Sequence, residues 1–241
     1  MKRDILSRLI EDRAAKRAVA LVTRLDETGD QTLVYPAHAG RKAPGSAPPS
    51  AVIAAARRAL QDNESQTVEL EGGRWFVEVH NPPLRLILVG AVHIAQPLSR
   101  IAEVAGYEVI VVDPRASFAT DARFPGVRLL GEWPDDALKS LAPDHRTAVV
   151  TLTHDPKLDD PALAIALRSD AFYIGSLGSR RTHAGRVKRL QEQGFTEAEI
   201  ARIHGPVGLD LGAVSPAEIA VSILAQLMEV LHRKEEEKAA A

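Results

Sequence analysis

The sequence predicts an α/β protein. A Rossmann-like, doubly wound parallel sheet is preceded by a small α+β domain and followed by C-terminal helices. Three observations carry this. The stretch Leu84-Arg-Leu-Ile-Leu-Val-Gly-Ala-Val-His93 is an apolar run of strand length that stops at Gly90 and passes at once into a helical pattern. A second apolar run, Val109 to Val112, ends in Asp113, 23 residues after Gly90, close to the ~20 residues that separate the glycine turn from the terminal acid of a dinucleotide-binding unit. From there strand and helix patterns alternate with short connections, which calls for a parallel sheet covered on both faces.

In chain order, residues 3–16 read as a helix with Ile5, Leu9 and Ile10 on one side. Ala18–Leu25 and Gln31–Tyr35 read as a hairpin, and His38–Pro49, rich in Gly, Pro, Ala and Ser, as a loop. Ser50–Gln61 follows as a helix, then Gln66–Leu70 and Arg74–His80 as a second hairpin around Glu71-Gly-Gly73. Asn81-Pro-Pro83 breaks the chain, because proline continues neither ladder nor helix. The domains expected are therefore 1–82 and 83–233, with a frayed tail over 234–241 that has no apolar face.

The second domain is expected to hold strands at Leu86–Gly90, Glu108–Val112, Val127–Leu130, Thr147–Thr153 and Ala171–Gly175, with helices starting near Ile94, Asp135 and Asp160. Right-handed crossovers give the strand order 3-2-1-4-5. Thr196-Glu-Ala-Glu199 and Ser215-Pro-Ala-Glu218 are capping boxes, the second with proline at the first helical position. The last helix stacks Ala220, Ile223, Leu224, Leu227 and Leu231 on one face, which needs a partner surface from the first domain or another protomer.

Composition narrows the function classes. The 241 residues include 30 basic and 32 acidic side chains, a net charge of −2 that favours neither nucleic acid nor an anionic membrane. No apolar stretch approaches the ~20 residues that span a bilayer, and the amphipathic start is not a signal peptide, so the expected location is the cytoplasm. There is no cysteine, which excludes disulfides, thiolate metal sites, a cysteine nucleophile and a persulfide carried on this chain.

Ligands of such sheets bind beyond the carboxyl ends of the strands, where the order reverses. The candidate residues lie at those ends. Strand one ends in Gly90-Ala91-Val92-His93; the second glycine of the usual turn is Val92, a β-branched residue where a pyrophosphate needs bare backbone. Asp113 can hold a ribose or other polyol, or cap the turn before Pro114. Arg115 can pair with a ligand phosphate or with Asp121. Thr153 and His154 close the fourth strand, and Asp155 reads as a helix cap before Pro156. Gly175, Ser176, Gly178, Ser179, Arg180 and Arg181 form the best phosphate candidate: glycines for close approach, hydroxyls, a capped helix start and two guanidinium groups. A further glycine-rich turn, Gly205 to Gly212, contains Asp210. The scattered histidines give no zinc spacing, and no acyl-transfer or hydride-transfer constellation is present, so no catalytic or metal-ligating residue is assigned.

Read in order, these loops resemble the xanthine dehydrogenase accessory factor family (XdhC/CoxI). The resemblance rests on Leu86-Ile-Leu-Val-Gly-Ala-Val-His-Ile-Ala95, Val112-Asp-Pro-Arg115, Thr151-Leu-Thr-His-Asp-Pro-Lys157, Ala171-Phe-Tyr-Ile-Gly-Ser-Leu-Gly-Ser-Arg-Arg-Thr-His183 and Pro206-Val-Gly-Leu-Asp-Leu-Gly-Ala213. It implies a Rossmann domain behind a small amino-terminal domain. It also implies a non-catalytic, oligomeric maturation factor that binds the molybdenum cofactor (molybdopterin) as cargo. Such a factor protects the cargo while a cysteine desulfurase sulfurates it and presents it to a xanthine-dehydrogenase-type molybdenum hydroxylase. The alternative on the same fold is an NAD(P)-dependent oxidoreductase or a nucleotide-sensing module. The family's amino-terminal Gly-Gly-Cys-x-Glu-like turn is replaced here by Gly45-Ser-Ala-Pro-Pro-Ser50, without its cysteine.

Overall fold

The structure is a computed structural model; it describes residues 2–40, 47–70 and 73–239, with the side chains of 38 and 234–239 excepted. Most of the Gly45–Ser50 segment is within that description, but Gly45 and Ser46, like the Glu71-Gly72 half of the second hairpin turn, lie outside the described residues. The chain forms two compact units, Met1–Pro83 and Leu84–Ala241.

The first unit comprises α1 (Arg3–Ala14), β1 (Val19–Arg24), β2 (Gln31–Val34), α2 (Ser50–Asp62), β3 (Gln66–Leu70) and β4 (Gly73–His80). The two hairpins merge into one antiparallel sheet, ordered β2-β1-β4-β3, because β1 pairs along its whole length with β4. β1 is central and covered on both faces, which explains its unbroken apolar run. Val19 and Leu21 face Ile5 and Leu9 of α1, whereas Ala20 and Val22 face Val52, Ala56 and Ala59 of α2.

The second unit carries β5 (Arg85–Val89), α3 (Ala95–Val104), β6 (Glu108–Val112), β7 (Arg128–Leu130), α4 (Pro134–Leu141), β8 (Thr147–Thr151), α5 (Pro156–Leu167), β9 (Tyr173–Ser176), α6 (Arg180–Glu192), α7 (Glu197–Ile200), β10 (Ile203–His204) and α8 (Pro216–Ala239). Its six strands are all parallel, in the order β10-β9-β8-β5-β6-β7. That is the expected 3-2-1-4-5 arrangement with a sixth strand at the outer edge. Alternation along each strand divides the core. Leu86, Leu88, Val109 and Val111 pack under α3 and α8, while Ile87, Val89, Ile110 and Val112 pack under α4, α5 and α6.

Three differences from the sequence reading have physical causes. β10 is only two residues long, too short for any periodic signal, and exists because it pairs with Ile174 and Gly175. α5 starts at Pro156, not near Asp160, because two Asp-Pro pairs compete as start signals. Asp155 takes the cap, accepting from the Lys157 amide at 2.9 Å, and Pro161 is carried inside the helix. The apolar face of α8 packs on its own sheet: Ala220, Ile223 and Leu227 are fully buried with Leu98 and Ala102 of α3. No surface from another protomer is needed to cover that face. Both expected capping boxes form, and the backbone of α8 is helical as far as Ala239.

Candidate functional site

In a parallel sheet every strand delivers its carboxyl end to one edge, and β5, β6, β8 and β9 bring the candidate residues there. The strand order reverses between β5 and β8. Gly90, directly after β5, adopts φ +109°, and a Cβ placed on it would lie 2.5 Å from the Thr153 methyl. Glycine here permits close approach of strand end to strand end. The Thr153 methyl is fixed in turn, since its hydroxyl donates to Asp159 Oδ1 at 2.7 Å.

Asp113 is fully buried and organises the first cluster. Oδ2 accepts from the Ala91 amide at 2.8 Å and from Arg115 Nη2 at 2.7 Å. Oδ1 accepts from the Arg115 amide at 2.9 Å and from Arg115 Nε at 2.8 Å. Burial alone would raise its pKa, but these hydrogen bonds from Arg115 and Ala91 outweigh burial and hold it below the ordinary aspartate value. Both oxygens expected to be open to a polyol are thus occupied within the protein. Arg115 pairs with Asp113, not with Asp121, and its guanidinium lies over the Phe118 ring at 4.3 Å.

The second cluster joins the ends of β8 and β9. Ser176 is fully buried at the end of β9, where its hydroxyl shares a 2.5 Å hydrogen bond with Thr151. Gly175 lies inside the strand, and a Cβ there would meet Val207 at 2.6 Å and Tyr173 at 2.9 Å, so this glycine makes room for packing. Gly178 is the one in the loop: φ is +142°, and a Cβ would sit 3.0 Å from Thr182 and 3.7 Å from His154 Nδ1. Ser179 caps α6, accepting from the Thr182 amide at 3.1 Å, and Arg180 and Arg181 stand exposed in its first turn. His154 has φ +62° and is exposed, its amide donating to Asp159 Oδ2 at 3.1 Å.

Between the starts of α5 and α6 lies a cavity of about 250 Å³, lined by His154, Pro156, Asp159, Arg181, Thr182, Gly185, Arg186 and Arg189. Of the sequence candidates, only His154 and Arg181 border it. Asp159, Arg186 and Arg189 were missed. They sit within helices, and the available signal was the Asp159-Asp160 pair in an otherwise apolar segment with Arg186 and Arg189 one helix later. Asp160 is bound by Arg189 through two hydrogen bonds, Nε to Oδ2 at 2.5 Å and Nη2 to Oδ1 at 3.0 Å. His93 and Asp210 are exposed and take part in neither cluster. The loop carrying Asp210 is pinned to α8, where Gln226 Oε1 accepts from the Gly208 amide at 2.9 Å. Among the described residues no group of three or more His, Asp or Glu side chains is arranged to hold a metal ion.

Fold and site together define a Rossmann-type domain with a modified glycine turn and a basic cavity beside the loop from β9 to α6. The XdhC Rossmann domain family matches residues 86–227, more than half of the chain, and the chain belongs to this family. It is 33% identical over 159 residues to a probable xanthine dehydrogenase subunit of Bacillus subtilis (strain 168), covering 66% of this chain and 46% of that protein. It is 33% identical over 156 residues to the molybdenum cofactor insertion chaperone PaoD of Escherichia coli (strain K12), covering 64% and 43%. A solved structure described as a xanthine dehydrogenase from Bacillus halodurans is similar with a TM-score of 0.71 and 25% identity, over 96% of this chain and 65% of that one. The chain spans less than half the length of these curated relatives.

Proposed function

We propose that this chain is a non-catalytic accessory protein that binds the molybdenum cofactor as cargo and presents it to a xanthine-dehydrogenase-type molybdenum hydroxylase. The likeness to a molybdenum cofactor insertion chaperone, 33% identity over 156 residues, supports the class. The observation that carries the reading is the state of Asp113. The acid that a nicotinamide dinucleotide would need for its ribose is buried and already accepts four hydrogen bonds from Ala91 and Arg115. With Val92 in place of the second glycine, the edge disfavours NAD(P) and leaves His154, Gly178, Ser179, Arg180 and Arg181 to meet a pterin and its phosphate.

Sulfur relay through a protein needs a thiolate, and the sequence contains no cysteine. On this reading sulfur comes from a separate cysteine desulfurase that reaches the presented cargo in the cytoplasm. Homo-oligomerisation is supported by Val221 and Met228, which lie seven residues apart on one face of α8 and are 52% and 39% exposed. No helix among the described residues is long and apolar enough to cross a membrane.

The test is to express a molybdenum hydroxylase with and without this protein. Several-fold higher specific activity and a higher sulfurated fraction are expected when it is present. Equal activity and equal sulfuration would reject the accessory role.

A further inference from the structure

Arg186 is a buried guanidinium with too few acceptors. Its side chain is 1% exposed, and Nη2 donates to the Leu177 carbonyl at 3.0 Å. The neighbouring carboxylate, Asp159, stands 3.8 Å from Nη2, outside hydrogen-bond reach. Asp159 is turned elsewhere: it accepts from the Thr153 hydroxyl at 2.7 Å, the Thr153 amide at 3.3 Å and the His154 amide at 3.1 Å. Arg186 Nε and Nη1 are left with no hydrogen-bond partner. A buried charged donor in that state is costly, and native structures rarely keep one without a reason.

The cavity beside it supplies the reason. Three arginines (Arg181, Arg186 and Arg189) face one carboxylate, Asp159. Arg189 is committed to Asp160, Arg186 keeps Nε and Nη1 unpaired although Nη2 is held by the Leu177 carbonyl, and Arg181 stands exposed on the lining. Gly185 contributes no side chain to this wall. The start of α6 opens onto the same space through Thr182, adding its positive end. A cation would meet excess positive charge, and an apolar molecule would leave the Arg186 donors unpaired.

The geometry points to a binding site for one phosphate group in this cavity, with Arg186 as the buried anchor, Arg181 as the exposed clamp and Thr182 as a hydroxyl contact. The site lies on the α5 side of the Gly175–Ser179 loop. Gly175 and Ser176, consumed by packing within the sheet, do not belong to it. The cavity volume of about 250 Å³ exceeds what a single phosphate fills, so either free phosphate or the terminal phosphate of a larger monoester can occupy it. This inference stands whether or not molybdopterin is the cargo.

Titration of the intact chain with inorganic phosphate, glycerol 3-phosphate and glycerol, followed by calorimetry and by amide shifts at Thr182 and Gly185, tests it. Inorganic phosphate is expected to bind and glycerol not. Glycerol 3-phosphate binding at least as tightly identifies a monoester site; its exclusion identifies a free-anion site. Arg186→Met should abolish binding. Arg181→Ala, on an exposed side chain that leaves folding intact, should weaken it about ten-fold, the loss of one charge-assisted hydrogen bond. Absence of phosphate binding, or binding undiminished in Arg181→Ala, would overturn the assignment. Accessory activity in the hydroxylase assay is a separate readout, so failure of one result leaves the other standing.

Discussion

Asp113→Ala is expected to lower the stability of the Rossmann unit by roughly 2–3 kcal/mol at neutral pH. The substitution strands the Ala91 amide at the end of β5 and releases Arg115 from three hydrogen bonds. Removing one partner of a buried pair can cost about 3–5 kcal/mol. The lower figure applies because the Arg115 side chain is 38% exposed and rehydrates. The pH dependence follows from the direction of the shift. The folded carboxyl has a pKa below its unfolded value of about 3.9, so its stabilisation is fully present above that value and is lost as pH falls through the lower, folded one. The gap between wild type and Asp113→Ala in urea melts should therefore be constant from pH 5 to 7 and shrink below about pH 4. An acid held ready for a ribose would behave differently: its removal would weaken ligand binding and leave the melting midpoint unchanged.

Gly90→Ala should destabilise the same unit by about 2–4 kcal/mol, through a side chain at positive φ and an overpacked contact. The contact is specific. The new methyl would sit 2.5 Å from Thr153 Cγ2, and Thr153 cannot rotate away without breaking its 2.7 Å bond to Asp159. Thr153→Ser removes that methyl and keeps the hydroxyl. The double variant Gly90→Ala, Thr153→Ser is therefore expected to recover part of the loss, with a coupling of about 1 kcal/mol or more in a double-mutant cycle. Strict additivity would mean that backbone strain alone explains the glycine.

These two residues also show where sequence reasoning succeeds and stops. Leu86-Ile-Leu-Val89, Val109-Ile-Val-Val112 and Ala148-Val-Val150 are buried on both faces, so their apolar runs announce central parallel strands directly. Gly90 and Asp113 were visible as a spaced pair, and the structure does join them, through the Ala91 amide. What the pair does was not visible, because Arg115 lies only two positions from Asp113 and its return to that carboxylate depends on the turn at Pro114. The cap at Asp155 was legible as an Asp-Pro signal, yet the equal signal at Asp160-Pro161 obscured the helix start. The partner of α8 was not legible at all: an apolar face states that it must be buried, not where. Arg186 was hidden for a related reason. An arginine six residues into a polar helix looks solvated until α5 packs beside it and buries its side chain.

The central claim is that this Rossmann edge receives the molybdenum cofactor and not a nicotinamide dinucleotide. Parallel fluorescence titrations of the intact chain with molybdopterin and with NADH test it most directly. Saturable molybdopterin binding is expected, weakened in the double variant Arg180→Ala, Arg181→Ala, with no saturable NADH signal. Saturable NADH binding, with molybdopterin failing to bind or to compete, would contradict it.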